Sequence, residues 1–147
     1  MPERRFHIEF WEDERGAKPV LDWIRHDLTA EQRAALGTGM RHTLQVLGVG
    51  VCATQFGKQL GEGLCEFRLR YDLAELLHRF EGRGPEPRSR GSGEVLLRVF
   101  FHAHGDRVVL LLHGYDKGAD PSARRQQREI AEARRRLRAF RARRHRA

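Results

Sequence analysis

The chain has 147 residues, 39% of them hydrophobic, and its 28 Lys and Arg outnumber 20 Asp and Glu for a net charge of +8. That length suits one domain with a core of its own. No apolar stretch approaches the ~20 residues of a membrane span, the start MPERRFHIEF lacks the apolar core of a secretion signal, and Cys52 and Cys65 have neither CxxC spacing nor the number for a disulfide framework, so a cytoplasmic protein without membrane, zinc or disulfides is expected.

The charge is concentrated at one end. From Arg124 to Ala147 there are eleven Arg and two Glu, a local charge of +9, so the preceding 123 residues balance at −1. A near-neutral body with a positive amphipathic end is the outline of a protein that docks on a polyanion, nucleic acid first among them because arginine forks match phosphate oxygens. A solvated basic helix facing an acidic protein is the plain alternative.

Taken in order, Phe6, Ile8 and Phe10 alternate with His7 and Glu9 as in a short strand. After a turn, Val20, Leu21, Ile24 and Leu28 recur at helical spacing behind Pro19, a residue suited to a first helical position. Thr29 and Gln32 have the form of a capping box, and Leu36, Met40, Leu44 and Leu47 line a second helix. The stretch GVGVCATQFGKQLGEG is aperiodic and reads as a loop presenting Lys58 to solvent.

In LCEFRLRY, the residues Cys65, Phe67, Leu69 and Tyr71 share one face of a strand, and Glu66, Arg68 and Arg70 share the other, which is expected to be open. EVLLRVFFHA and RVVLLLHGY supply two more strands around a turn at His104, Gly105 and Asp106. Between them and Tyr71 lies an insertion at about 72–94, starting with helical spacing at Leu73, Leu76, Leu77 and Phe80 and ending in the disorder-prone GRGPEPRSRGSG. A final helix begins near Asp120, Pro121 or Ser122, carries the stripe Ile130, Ala133, Leu137 and Phe140, and frays over RARRHRA, within an extension at about 138–147. The order β, α, α, loop, β, insertion, β, β, α describes a single α+β domain with an antiparallel sheet covered by helices.

The residues able to act on a phosphodiester gather in the sheet. Histidine, tyrosine or lysine can move the proton of a ribose hydroxyl or of a leaving oxygen, and arginine or lysine can hold a phosphorane. Candidates are Arg68, Arg98, His113, Tyr115 and Lys117, with Lys58, Arg70, Arg134, Arg135 and Arg138 for RNA binding. Each has a duller reading: His113 as a satisfied margin histidine, Tyr115 as a core cap, Arg68 and Arg70 as a solvated strand face paired to Glu66. Arg98, set among Leu96, Leu97, Val99 and Phe100, needs a counter-charge, either a carboxylate or a ligand phosphate. His102 and His104 share a strand face without a third metal ligand at a recognisable spacing, and no Walker loop, HExxH or GxSxG occurs.

GKQLGEGLCEFRLRY followed by LLRVFFHAHGDRVVLLLHGYDKGADPSARRQQREIAEARRRL resembles the HigB-like, phage-derived branch of the RelE/ParE toxin superfamily. Lys58, Leu60, Gly63, Leu64, Glu66 and Arg68 match its first block. Arg98 to Phe101, then His113, Gly114, Tyr115 and Lys117, then Glu129, Ile130, Ala133 and Arg136 match the rest.

The resemblance implies a type II toxin with an N-terminal strand and helical pair packed on a curved antiparallel sheet, cleaving mRNA at the ribosome without metal or other cofactor. It also implies a cognate antitoxin, a helix-turn-helix protein. The insertion and the basic extension depart from the family pattern, and the insertion is placed to cover the open sheet face. Alternatives are a non-enzymatic ParE-like topoisomerase inhibitor and a catalytically silent nucleic-acid-binding phage remnant.

Overall fold

The computed structural model describes residues 3, 5–84 and 95–146. It is an α+β structure around a five-stranded sheet of order β1-β5-β4-β3-β2. The strands are β1 (His7–Phe10), β2 (Gly57–Gly61), β3 (Leu64–Leu69), β4 (Leu97–His104) and β5 (Val108–Asp116).

The sheet is mixed, not purely antiparallel as expected. β1 runs parallel to β5, with His7 opposite Val108 and Phe10 opposite Leu111, while the other three pairings are antiparallel. Tight hairpins fix direction only between strands adjacent in sequence, and β1 reaches its partner from the far end of the chain.

A second difference is β2, which occupies part of the expected loop. It is a short edge strand whose Lys58 and Gln59 are exposed, so its alternation carries little hydrophobic signal. The turn into β3 places Gly61, Glu62 and Gly63 at positive φ.

Local signals place the helices as expected. Pro19 opens α1 (Pro19–Asp22), which continues as a π-helical turn over Trp23–Asp27. The capping box starts α2 (Ala30–Gly39): Thr29 Oγ1 accepts from the Gln32 amide at 3.0 Å, and Gln32 Oε1 accepts from the Thr29 amide at 2.9 Å. A π-helical stretch (Met40–Leu44), α3 (Gln45–Leu47) and a 3-10 turn (Gly48–Ala53) follow. Gly39 lets α2 approach the sheet, since a Cβ there would stand 2.9 Å from Leu69 Cδ1.

Each face of the sheet has its own core. Leu36 and Leu44 pack with Phe67, Leu69, Val99 and Leu111 on one side. On the other, Leu64, Phe100, Leu110, Leu112 and Tyr115 meet Ala133 and Leu137 of α5 (Ala123–Arg146). The face expected to be open is therefore partly roofed by the C-terminal helix. Ser122 caps that helix, accepting from the Arg125 amide at 3.2 Å. α5 is helical through Arg146.

The described half of the insertion forms α4 (Leu73–Glu81), capped by Asp72 and closed by Gly82 in the left-handed region. Its Leu73, Leu76 and Phe80 join the first core against α2, on the side away from α5, so α4 does not cover the Arg68 face as expected. Residues 85–94 of the insertion, including most of its disorder-prone tract, lie outside the described residues.

One irregularity positions the site. β4 and β5 slip between Phe100 opposite His113 and Phe101 opposite Leu111, leaving Leu112 as a surplus residue in β5. Leu110 and Leu112 both face α5, and beyond the bulge His113 and Tyr115 do too, stacking on Phe100 with ring centroids at 6.2 and 6.0 Å. Gly114 turns the other way, where a Cβ would come within 2.4 Å of the Trp23 ring.

Candidate functional site

Cross-strand register builds the site row by row. Arg68 lies opposite Arg98, and Arg98 opposite Tyr115. In the next row Lys58 lies opposite Glu66, Glu66 opposite Phe100, and Phe100 opposite His113. At the other end the Lys117 amide donates to Leu96 O at 2.8 Å, extending the ladder one residue past β5. Side chains two apart on a strand share a face, so Glu66 and Arg68 of β3, Arg98 of β4 and Tyr115 of β5 converge toward one end of the sheet.

The centre of this cluster is buried. Glu66 is 0%, Arg98 3% and Tyr115 2% exposed, whereas the Arg68 side chain is 22% exposed and Arg70 is open to solvent. Arg68 Nε donates to Glu66 Oε1 at 2.7 Å. Arg98 Nη1 donates to Leu97 O at 3.3 Å. Three buried polar atoms, Glu66 Oε2, Arg98 Nε and the Tyr115 hydroxyl, have no hydrogen-bond partner among the described residues. Such atoms are costly when left dry, so their concentration in one cluster marks it as a place where water or a ligand group is wanted.

The electrostatics follow from burial and crowding. Desolvation lowers the Arg98 pKa, Glu66 opposes that shift, and Arg68 and Arg70 reinforce it. Lys117 is lowered by desolvation first and then by Arg98, with Arg68 and Arg70 adding to the shift and Glu66 opposing it. A lysine held among guanidinium groups gives up its proton more readily, the direction a general base requires. Tyr115 is raised by burial and by Glu66, so it keeps its proton, and the Arg125 guanidinium sits 5.2 Å from its ring centroid.

His113 is occupied differently. Its Nε2 lies 3.1 Å from Glu129 Oε2 and its Nδ1 3.2 Å from Arg136 Nη1, so both ring nitrogens are taken up by α5. Desolvation and then Arg136 lower its pKa, favouring the neutral ring. In that form Nδ1 accepts from Arg136 and Nε2–H donates to Glu129.

The arginines on α5 divide into two kinds. Arg134 Nη2 and Nη1 donate to Leu60 O and Gly61 O at 2.6 and 3.3 Å, and Arg135 grips Glu132 through two bonds of 2.7 Å. Arg124, Arg128 and Arg138 are exposed, as is Lys58 on β2. A carbonyl acceptor fixes a guanidinium without cancelling its charge, so Arg134 stays cationic while Arg135 is paired.

The expected candidates Arg68, Arg98, Tyr115 and Lys117 thus come together, with Arg70 at their margin and His113 one row away. Glu66 was legible only as a partner for Arg68; its position as the buried carboxylate beneath three cations was masked by the alternation that assigns it to a solvent face. No family model, curated protein or solved structure matches the chain.

Proposed function

We propose that the chain is a toxin of the RelE/ParE type that cleaves mRNA at the ribosome without a metal and is neutralised by a helix-turn-helix antitoxin. The observation carrying this reading is the shared end of the sheet where Arg68, Arg70 and Lys117 surround buried Arg98 and Glu66, with the Lys117 pKa lowered. In the reaction the ribose 2′-oxygen attacks phosphorus as its proton passes to the Lys117 amine, whose lowered pKa eases the deprotonation that this role requires. The bond to the 5′-oxygen breaks, that oxygen takes a proton from water, and a 2′,3′-cyclic phosphate and a 5′-hydroxyl result. Arg68 and Arg70 take the charge of the phosphorane, and Glu66 holds Arg68 in position.

The complete burial of Glu66, Arg98 and Tyr115 favours a second reading. In it these groups brace the sheet, and the surface cations only dock on a partner, as in a topoisomerase inhibitor or a silent remnant.

Induced expression with primer extension on cellular transcripts separates the two. Cleavage that falls about a hundredfold in Lys117→Met and Arg68→Gln, the order of a lost proton-transfer or charge-stabilising group, supports the nuclease. Growth arrest with intact transcripts and a DNA damage response supports the inhibitor, and absence of arrest the remnant.

A further inference from the structure

Toward the opposite end of β4, about 13 Å along the strand from Arg98, a cavity of about 390 Å³ opens between the sheet and the last turns of α5. His102, Phe140, Arg141, Arg144 and His145 line it. We propose that this cavity is a second binding site whose ligand is a phosphate group, supplied by a nucleic-acid strand or by a small phosphorylated molecule.

The argument rests on how its cations are held. Beside the cavity, four successive carbonyls around the β2–β3 turn each receive a donor from α5 or β4: Leu60 and Gly61 from Arg134, Glu62 from Arg141 at 2.8 Å, and Gly63 from His102 Nδ1 at 2.8 Å. These acceptors are uncharged, so Arg141, which lines the cavity, is oriented while its charge stays available, and Arg134 pins the neighbouring turn. An oriented guanidinium loses less side-chain freedom on meeting an anion than a waving one, which favours affinity. Gly63 makes the approach possible, because at its φ of +84° a Cβ would lie 2.6 Å from Arg141 Nη2 and 3.1 Å from the His102 ring.

The remaining wall suits a phosphate and whatever carries it. Arg144 Nη1 contacts His104 Nδ1 at 3.3 Å and its guanidinium lies 5.6 Å from the Phe140 ring centroid. The His104 and Phe140 rings are 4.8 Å apart. With Nδ1 of His102 donating to Gly63, its Nε2 is left for solvent or ligand. Two acids stand near these cations: Glu9, 3.7 Å from His104 Nε2, and Glu62, whose carbonyl receives the Arg141 bond. The C-terminal end of α5 contributes roughly −0.5 of a charge, against two full guanidinium charges. Phe140 offers an apolar face on which a base or other planar group can lie.

The test uses the full chain and two probes followed by NMR at the histidine ring protons: inorganic phosphate, and a short single-stranded RNA lacking terminal phosphates. Saturable shifts at His102 and His104 that weaken about tenfold or more in Arg141→Gln/Arg144→Gln, and less than about twofold in the charge-matched Arg124→Gln/Arg128→Gln, support the site. The probe that saturates at lower concentration identifies the source of the phosphate. Equal weakening in both double variants, or no saturation with either probe, overturns the proposal. Neither result depends on RNA cleavage, so it stands or falls apart from the nuclease reading.

Discussion

Arg68 and Arg98 face one another directly across β3 and β4, two like charges in one cross-strand pair. Such a pair is unfavourable by itself, and the Glu66 carboxylate, two residues from Arg68 on the same face, offsets it. Replacing Glu66 by Gln keeps the shape and removes the charge, so it is expected to cost about 3 kcal/mol, the scale for a buried pair that loses one partner. Arg98→Met, which removes the buried cation instead, is expected to stay within about 1 kcal/mol of the parent. Urea denaturation of both variants checks the contrast, and equal costs would refute the role given to Glu66.

Gly114 is held to glycine by Trp23 rather than by backbone conformation. Gly114→Ala would push a methyl into the indole, whose nearest atoms stand 2.4 to 2.9 Å from the ideal Cβ. Overpacking of this kind costs about 1–3 kcal/mol, expected as a lower melting temperature. Trp23→Leu should recover part of the loss in the double variant, and a purely backbone effect would show no such recovery.

Arg136 joins three elements. It donates to Leu112 O at 2.8 Å and to Glu132 Oε2 at 2.9 Å, meets His113, and lies 5.1 Å from the Trp11 ring centroid. Arg136→Met preserves much of the stem packing but leaves the Leu112 carbonyl and Glu132 without that donor. A loss of about 1–3 kcal/mol is expected, and thermal unfolding measures it.

Stability should fall on acidification in two stages. Burial first, then Arg144 for His104 and Arg136 for His113, lower the histidine pKa values below 6.5. The unfolded chain therefore binds protons first as pH drops, and stability complete above about 6.5 declines below it. Glu132, lowered to about 2 chiefly by its hydrogen bond from Arg135, contributes stability that is full above 4.5 and lost as pH falls toward 2. Denaturation midpoints between pH 8 and pH 3 check this, and His113→Gln should flatten the upper stage.

Local rules made much of the architecture readable. Pro19, the Thr29–Gln32 box, the β3 alternation and the α5 stripe each announce themselves within a few residues. The rest depends on contacts between distant segments. Nothing in β1 specifies a parallel partner, and β2 is too short and polar to register. The polar side of β3 looks solvent-exposed until α5 is laid over its neighbours. Sequence could state that Arg98 requires an opposite charge, but only the register brings Glu66 to it. Likewise the arginines of α5 read as one basic stripe, whereas their partners separate Arg135, paired to an acid, from Arg134 and Arg141, pinned by carbonyls.

The surplus residue at Leu112 sets the parity of everything after it. Counted from Val109 and Leu111 by strict alternation, His113 and Tyr115 would point toward Trp23, and Gly114 would lie beneath α5. Shifting that one extra residue past Lys117 would exchange the two sides of the strand end. It would bury the tyrosine and histidine among the N-terminal helices and leave Arg98 facing a glycine, with no residue type altered.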